Sequence, residues 1–506
     1  MNQVEVNALE QDALEVLSLV RSVRNSFAPV NRIPPEILSF TPDYYSKGCP
    51  DQDLLVLTHV CRSWRNTFVS RSSLWTRLDF RNVGKTRTYI RRSKSSPLQI
   101  YLVDSDNTHS YGAFSLVTPY IHRLKSMVIH AGVLPDAIGH FCCRAPLLEE
   151  LDISFTGSHA PVLDNALFRG DLSSLRKLSL DGVITYLPWN NLANLTTFVL
   201  KFCPPQRDFI TRLLNVFECA PLLHTILLEH SIPTSSNAPP RRIISLPHLR
   251  ALYIIAQPAH SILLNHLCIP TGASLGLGFV FGGGESPLQD YLPETLANLK
   301  NISQVTAINL RFGATQKYLR LSGPSGELRV LAHWEEEESV SPCTMDRRIL
   351  RSLSPHLFLT TQRLAVSKYN PPRPKKVEKC PVFQTLCSMA SLRTLILTKC
   401  HNLPFIFALN PEKSTSKLVL CPDLENIILY IESRDDFHIG HLLSMAKQRA
   451  ARGVKLSSIT IVGLDELVSA KEVFGLREHV TRVNYRAGDV APNWDYLPGD
   501  SSDESE

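Results

Sequence analysis

A leucine frame that returns along most of the chain constrains its fold more than any other feature. Leu-x-x-Leu-x-Leu stands at Leu175, Leu178 and Leu180, with variants at Leu195-Phe198-Leu200, Leu223-Ile226-Leu228, Leu249-Leu252-Ile254 and Leu392-Leu395-Leu397. Weaker copies run Leu124-Met127-Ile129, Leu148-Leu151-Ile153, Val305-Ile308-Leu310, Leu424-Ile427-Leu429 and Leu456-Ile459-Ile461. In each, the last two apolar residues are two apart, the period of a strand with one face buried. Neighbouring frames lie roughly 20 to 32 residues apart, room for one strand and a return, so each unit buries its apolar face only against the next. Asp208 to Cys219 and Gly440 to Ala451 have helical patterning and precede strands. The expected fold class is α/β, a strand-helix solenoid over residues 81–484 behind a small helical segment.

This rhythm resembles the leucine-rich repeat. Cys203 and Cys400 then fall at the turn position that follows the strand, where a small polar residue points inward and satisfies backbone groups. Regularity lapses over residues 258–298, where Gly276, Gly278 and Gly282 to Gly284 cluster, and over 367–381, rich in proline and lysine. The first reads as a rim loop and the second as an insertion. Arg373-Pro374-Lys375-Lys376 in that insertion fits a nuclear import signal or a solvated loop. Residues 485–506 read as an acidic, disordered tail.

Residues 3–27 read as one helix, because Val6, Leu9, Ala13, Val16, Val20, Val23 and Phe27 alternate steps of three and four. That seam either packs on the neighbouring domain or self-associates. The next segment carries Asn31-Arg32-Ile33-Pro34-Pro35-Glu36-Ile37-Leu38, then Leu54 to Arg65 with Val60-Cys61-Arg62-Ser63-Trp64-Arg65, then Ser73-Leu74-Trp75-Thr76-Arg77-Leu78. These read as three short helices, with Asn31 capping the first and Leu57, Val60, Cys61 and Trp64 striping the second. Pro42 should end or bend the first.

Residues 31–80 resemble the F-box, whose pattern runs Leu-Pro-x-Glu-Ile-Leu, a spacer, Val-Cys-Arg-x-Trp-Arg and a closing Leu-Trp. With the repeats behind it, the chain resembles fungal-type F-box/leucine-rich-repeat substrate receptors of SCF ubiquitin ligases. The resemblance implies docking on the Skp adaptor, and through it on cullin, while the solenoid holds a protein substrate. By the same resemblance Pro34, Ile37, Leu38, Leu57, Val60, Trp64 and Trp75 are the candidate adaptor-docking residues, the tryptophans serving equally as core. The alternative is a ligase-independent scaffold that simply tethers its partner.

In each repeat strand the residues between the leucines must face outward. Early strands present Glu150, Asp152, Lys177 and Ser179, later ones Tyr253, Ile396, Ile428 and Tyr430. Apolar and aromatic residues on an open face mark a contact surface, so Tyr253, Ile396, Ile428 and Tyr430 are the candidate partner-binding residues unless the tail or insertion covers them.

The chain carries 53 basic and 47 acidic side chains, a surplus too small to favour nucleic acid. The local run Arg81, Lys85, Arg87, Arg91, Arg92 and Lys94 reads as a solvated helix face, with an acidic partner as the other option. No apolar run reaches the roughly 18 residues of a membrane span, and Glu5, Glu10, Asp12 and Glu15 are wrong for a secretory signal. A cytoplasmic or nuclear location is expected, where the Asn194-Leu195-Thr196 and Asn301-Ile302-Ser303 sequons stay unmodified and the 12 cysteines stay reduced. No Cys-x-x-Cys occurs, so no metal is expected.

Gly272-Ala273-Ser274-Leu275-Gly276 fits a nucleophile elbow by spacing, but the surrounding proline and glycines deny it the required strand-to-helix turn. Gly282-Gly283-Gly284 lacks the Lys-Ser/Thr of a phosphate loop. No enzymatic activity and no cofactor are expected.

Overall fold

A computed structural model of the chain describes residues 2–38, 50–78, 80, 82–104, 111–132, 141–157, 160–163, 167–186, 191–204, 208–232, 242–255, 263–281, 296–312, 316–334, 358–368, 381–413, 419–431, 437–463 and 470–487. It divides into two compact units, Met1–Leu195 and Thr196–Glu506.

The first unit opens with helix α1 (Gln3–Ser26), begun by a capping box in which Asn2 accepts from the Glu5 amide and the Glu5 carboxylate accepts from the Asn2 amide. Three short helices follow, α2 (Pro35–Leu38), α3 (Pro50–Thr58) and α4 (Arg62–Ser70). The segment read as one helix over Leu54 to Arg65 is therefore two. Thr58, His59, Val60 and Cys61 are all weak helix formers. Cys61 turns extended and its carbonyl accepts from the Arg65 amide at 3.0 Å to start α4, while the Arg65 Nε donates to the Thr58 carbonyl at 2.9 Å to close α3. Asn31 does not cap α2 either. It lies in a 3-10 turn, donates to the Asn25 carbonyl at 2.7 Å, and accepts from the Cys61 thiol. Pro42 lies outside the described residues.

The expected third helix is a 3-10 turn, Ser72–Trp75, running straight into strand β1 (Arg77–Leu78). The sheet thus begins before residue 81. Strands β1, β2 (Leu98–Asp104), β3 (Leu124–Ala131), β4 (Glu150–Phe155) and β6 (Lys177–Asp181) pair in that order, all parallel. A minor ladder joins β5 (Val162–Leu163) to β7 (Ile184–Thr185). Helices α5 (Val83–Ser93) and α6 (Tyr111–Val117) lie between the early strands. Arg87, Arg91 and Lys94 are exposed on or just after α5, as a solvated face requires, and Arg92 stacks over Trp75 at 4.3 Å; Arg81 lies outside the described residues.

The second unit repeats the plan with strands β8 (Thr197–Lys201), β9 (Thr225–Glu229), β11 (Ala251–Ile255), β13 (Ser274–Phe281), β14 (Ala307–Phe312), β15 (Gln316–Gly323), β16 (Gly326–Trp334), β17 (Arg363–Ser367), β18 (Thr394–Thr398), β19 (Asn426–Ile431), β20 (Ser458–Gly463) and β21 (Arg482–Ala487). Short β10 (Ile244–Ser245) and β12 (Leu267–Cys268) form a side ladder. Helices α7 (Phe209–Cys219), α8 (Pro381–Cys387), α9 (Leu403–Leu409), α10 (Ile439–Ala451) and α11 (Ala470–Arg477) are the returns. Each unit is a mixed α/β ladder of leucine-rich-repeat type.

All ten leucine frames fold as strands with their three apolar side chains buried. The turns repeat too. The leading leucine amide bonds back three residues, as in Leu175 to Leu172, Leu195 to Leu192 and Leu249 to Leu246. The residue after the strand takes a left-handed backbone, φ being 66° at Gly182, 47° at Phe202, 46° at His230, 55° at Lys368 and 51° at Lys399. At Phe202, His230 and Lys368 the amide so aimed donates to the last carbonyl of the next strand, and at Lys399 to the last but one, which offsets the roughly 1 kcal/mol that a non-glycine residue gives up there. Gly182 has no alternative, because a Cβ would strike the Phe155 carbonyl oxygen.

The stretch 258–298 is not only loop, since Gly276 and Gly278 sit inside β13. There Gly278 keeps the ladder close, as a Cβ would press on Ile255 at 3.0 Å. The parallel order is then broken by an insertion. β16 pairs parallel with β13, while β15 runs antiparallel between β16 and β14. Gly323-Pro324-Ser325-Gly326 makes the turn; Gly326 has φ 129° and Gly323 leaves no room for a side chain beside Gln304. Glu327 anchors this hairpin, accepting from Ser274 at 2.8 Å, Arg329 at 2.8 Å and Arg320 at 2.9 Å.

Burial alone would raise the Glu327 pKa, but the hydrogen bonds from Ser274 and Arg329 and the fields of Arg329 and Arg320 hold the carboxyl below its ordinary 4.5. A depressed carboxyl stabilises the fold above its unfolded pKa and loses that contribution as pH falls through the folded value. Glu327→Gln should cost about 2 kcal/mol at neutral pH, and in chemical unfolding across a pH series the difference from the unsubstituted chain should shrink progressively as pH falls from the ordinary 4.5 through the lower folded value.

Candidate functional site

Two surfaces follow from these elements. In the N-terminal module, Leu38, Trp64 and Phe68 form a core with Leu57, Cys61 and Leu74 packed on it. Trp64 meets Phe68 edge-on at 5.7 Å. Trp75 is fully buried, donates its indole N–H to the Phe68 carbonyl at 2.8 Å, and stands edge-on against Tyr89 of α5 at 4.9 Å. Among the residues singled out for docking, Leu38, Trp64 and Trp75 are core in this structure. Pro34, Ile37 and Val60 are exposed, and Leu57 is half-buried.

The structure adds residues that the pattern did not single out. Val56, on α3, is 63% exposed beside Val60 at 51%, and Ile33 and Leu55 are also exposed, while Ile37 on α2 is 59% exposed. The signal was present in the helical period, because Leu54 and Thr58, four residues apart on α3, are buried and leave Leu55 and Val56 outward. The result is a small module with a packed aromatic core and several aliphatics left open.

The second surface is the outward face of the two sheets. In the first unit it is polar and networked. Lys177 donates to Glu150 at 2.9 Å and to Asp152 at 3.3 Å, His130 reaches Asp152 at 3.4 Å, and Ser126 and Ser154 donate to Glu150 and Asp181. The hydrogen bond to Glu150 raises the Lys177 pKa against the cost of its burial. In the second unit the four residues singled out for partner binding do not converge. Tyr253 on β11 is six strands from Ile396 on β18, about 29 Å at sheet spacing. Ile396 is only 5% exposed, because both faces of β17 and β18 are covered, from Leu364 to Ser367 and from Leu395 to Thr398. Ile428 and Tyr430 remain, half-buried and two apart on β19, beside Thr460 and Val462 of β20.

The turn cysteines are structural. Cys203 and Cys400 are buried, and each thiol donates to the carbonyl two residues back, at 3.3 Å to Lys201 and 3.1 Å to Thr398. Ser231 makes the same contact to Glu229 at 2.8 Å, which shows that the position asks for a small donor rather than for a thiol. Burial pushes the Cys421 thiol up to about 12, so it stays protonated and unreactive. Ser274 is held by Glu327, with no histidine bonded to it among the described residues. No group of three or more His, Cys, Asp or Glu side chains able to hold a metal stands among the described residues, and none of their helices is long and apolar enough to cross a membrane. Gly282 to Gly284, the import-signal stretch and residues 488–506 lie outside the described residues, whereas Tyr485 to Ala487 of the expected tail belong to β21.

No protein-family model matches the chain, and no curated protein matches it significantly. Among solved structures it is similar to a chain in the crystal structure of a TLR13–ssRNA13 complex, at 14% identity and a TM-score of 0.29, over 73% of this chain and 42% of that one. The chain thus spans less than half the length of that protein. At such a distance the fold rests on the strand ladder itself, and the neighbour's ligand says nothing about this chain.

Proposed function

We propose that this chain is a substrate-recruiting adaptor of an SCF-type ubiquitin ligase, its residues 31–80 an F-box docking on the Skp adaptor and its repeat ladders holding a protein substrate. Its contribution is proximity, which raises the effective concentration of substrate lysines near a charged conjugating enzyme. The observation that carries this reading is the division of labour within Val60-Cys61-Arg62-Ser63-Trp64-Arg65. Trp64 closes the module's own core, whereas Val60, with Val56 and Ile37, is left on the outside. Exposed aliphatics on so small a bundle are costly unless a partner covers them. Pro34, Ile37, Val56 and Val60 are the contact residues on this reading, with Leu57 at the edge.

The test is capture of the adaptor by the full chain. Ile37→Asp with Val60→Asp should weaken binding by on the order of 3 kcal/mol, about a hundredfold, because two carboxylates would be desolvated in an apolar contact. Both positions are exposed, so the melting temperature should not move. Adaptor recovery unchanged by the pair would overturn the F-box assignment, and adaptor recovered without cullin would leave a tethering scaffold in place of a ligase subunit.

A further inference from the structure

Helix α1 is 24 residues long and not one of them is buried. It meets the N-terminal module through the side that carries Ser18 and Asn25. These two, its partly covered residues, line a cleft of about 400 Å³ with Leu14, Leu17, Arg21, Arg62 and Arg65, and Arg62 bonds to the Ser18 hydroxyl. The apolar seam is elsewhere. On a helix with 3.6 residues per turn, Val6, Leu9, Ala13, Val16, Val20, Val23 and Phe27 centre about 150° from Ser18 and Asn25. Their exposure agrees, at 57% for Leu9, 63% for Val16, 58% for Val20 and 67% for Phe27. A helix that turns the Ser18 and Asn25 side to its own domain and its seam to solvent is not completed by that domain.

We infer that α1 is a homodimerisation helix that pairs antiparallel with α1 of a second copy of this chain. The seam has three-and-four spacing over three heptads, the pattern that a second helix fills. Charge selects the orientation. The first half of α1 carries Glu5, Glu10, Asp12 and Glu15, and the second half Arg21 and Arg24. An in-register parallel pair sets Glu5 against Glu10 of the other copy on both flanks of the seam and lays acid on acid along its length. The antiparallel pair sets Leu9 against Val20 and Ala13 against Val16. Its flanks then bring Glu10 to Leu17, Asp12 to Leu19 and Gln3 to Arg24, and lay the acidic half beside the basic half. Leu19, 63% exposed, widens the apolar strip at the centre, where a short coiled coil needs it most, and Leu17, 43% exposed, stands at the border between the strip and the cleft.

The test uses the full-length chain. Sedimentation velocity should show a concentration-dependent dimer, and Val16→Asp with Val20→Asp should weaken it by at least about a hundredfold, since each copy would bury two charges. Gln11→Asp, off the seam, should leave it unchanged. These substitutions fall on exposed residues, so unchanged circular dichroism is expected throughout. Orientation is read by oxidation of single-cysteine insertions, scored above the background of the native cysteines. A Leu9→Cys chain mixed with a Val20→Cys chain should give a disulfide-linked dimer that neither gives alone. A monomer at all concentrations, a dimer indifferent to the two aspartates, or cross-linking of Leu9→Cys with itself would each overturn the inference. Adaptor capture is measured through α2 and α3, so its loss or retention bears on the proposed function and not on α1.

Discussion

Leu178→Asp should destabilise the first unit by at least about 5 kcal/mol, whereas Ser179→Ala, one residue along the same strand, should stay within about 0.5 kcal/mol. The two residues are neighbours on one strand and occupy opposite sides of the sheet. Leu178 has no exposed surface and stands in register with Leu151 of β4, so a carboxylate there must either lose its hydration or take up a proton, and both leave a cavity where the isobutyl group was. Ser179 faces outward beside Asp152 and is half-buried. Lys177 looks like an equally neutral control from sequence, but it bridges Glu150 and Asp152 at 42% side-chain exposure. Its removal leaves two acids side by side, and Lys177→Ala should cost up to about 1 kcal/mol. Chemical unfolding of the three variants ranks them. Equal tolerance at positions 178 and 179 would mean that the strand phase is wrong.

The strand phase was legible because it is written twice in each repeat, once in the apolar triplet and once in the turn after it. Ten triplets were read and all ten became strands, so the frame predicted the inward face residue by residue. What escaped notice lacks one of the two signals. β2 has the alternation Leu98-Ile100-Leu102 without a leading leucine, and β13 has Leu275 and Leu277 among glycines that read as loop. The β15–β16 hairpin does not belong to the repeat at all. Its signature is in the sequence, as Tyr318 to Ser322 and Glu327 to Leu331 flank Gly323-Pro324-Ser325-Gly326, but it is a hairpin signature that lies outside the period of the repeat.

The interaction residues were less legible than the fold, for a physical reason. A sequence pattern says which side chains are apolar and cannot say which of two apolar demands each one meets. Ile396 occupies an outward position in its frame, yet β18 is covered on both faces, and a one-strand rule has no means of anticipating a second layer. Tyr253 and Ile428 occupy equivalent frame positions and still lie apart, because β13 and the inserted pair stand between β11 and the later strands. In the N-terminal module the same ambiguity ran through the tryptophans, and the structure gives both to the interior.

Trp75→Ala should therefore act as a core deletion, costing about 4 kcal/mol as buried tryptophan truncations do. Three contacts go with the ring, namely the indole N–H to the Phe68 carbonyl at 2.8 Å, the edge-on packing against Tyr89, and the Arg92 guanidinium 4.3 Å above it. The first of these leaves a buried carbonyl without its donor, which adds a penalty beyond lost area. Trp75 also joins α4, through Phe68, to α5 and the start of the sheet, so its loss should loosen the helical module from β1 before it disturbs β4 or β6. Hydrogen exchange would show this as early opening of residues 62–75 with β4 and β6 still protected. Trp75→Phe tests the alternative role. It keeps a buried aromatic ring while removing the indole donor and part of the ring volume, so it should recover more than half of the stability. Adaptor binding should then recover in step with folding. Folding restored by Trp75→Phe with adaptor binding still lost would return Trp75 to the contact surface and show that the burial seen in the free chain opens on docking.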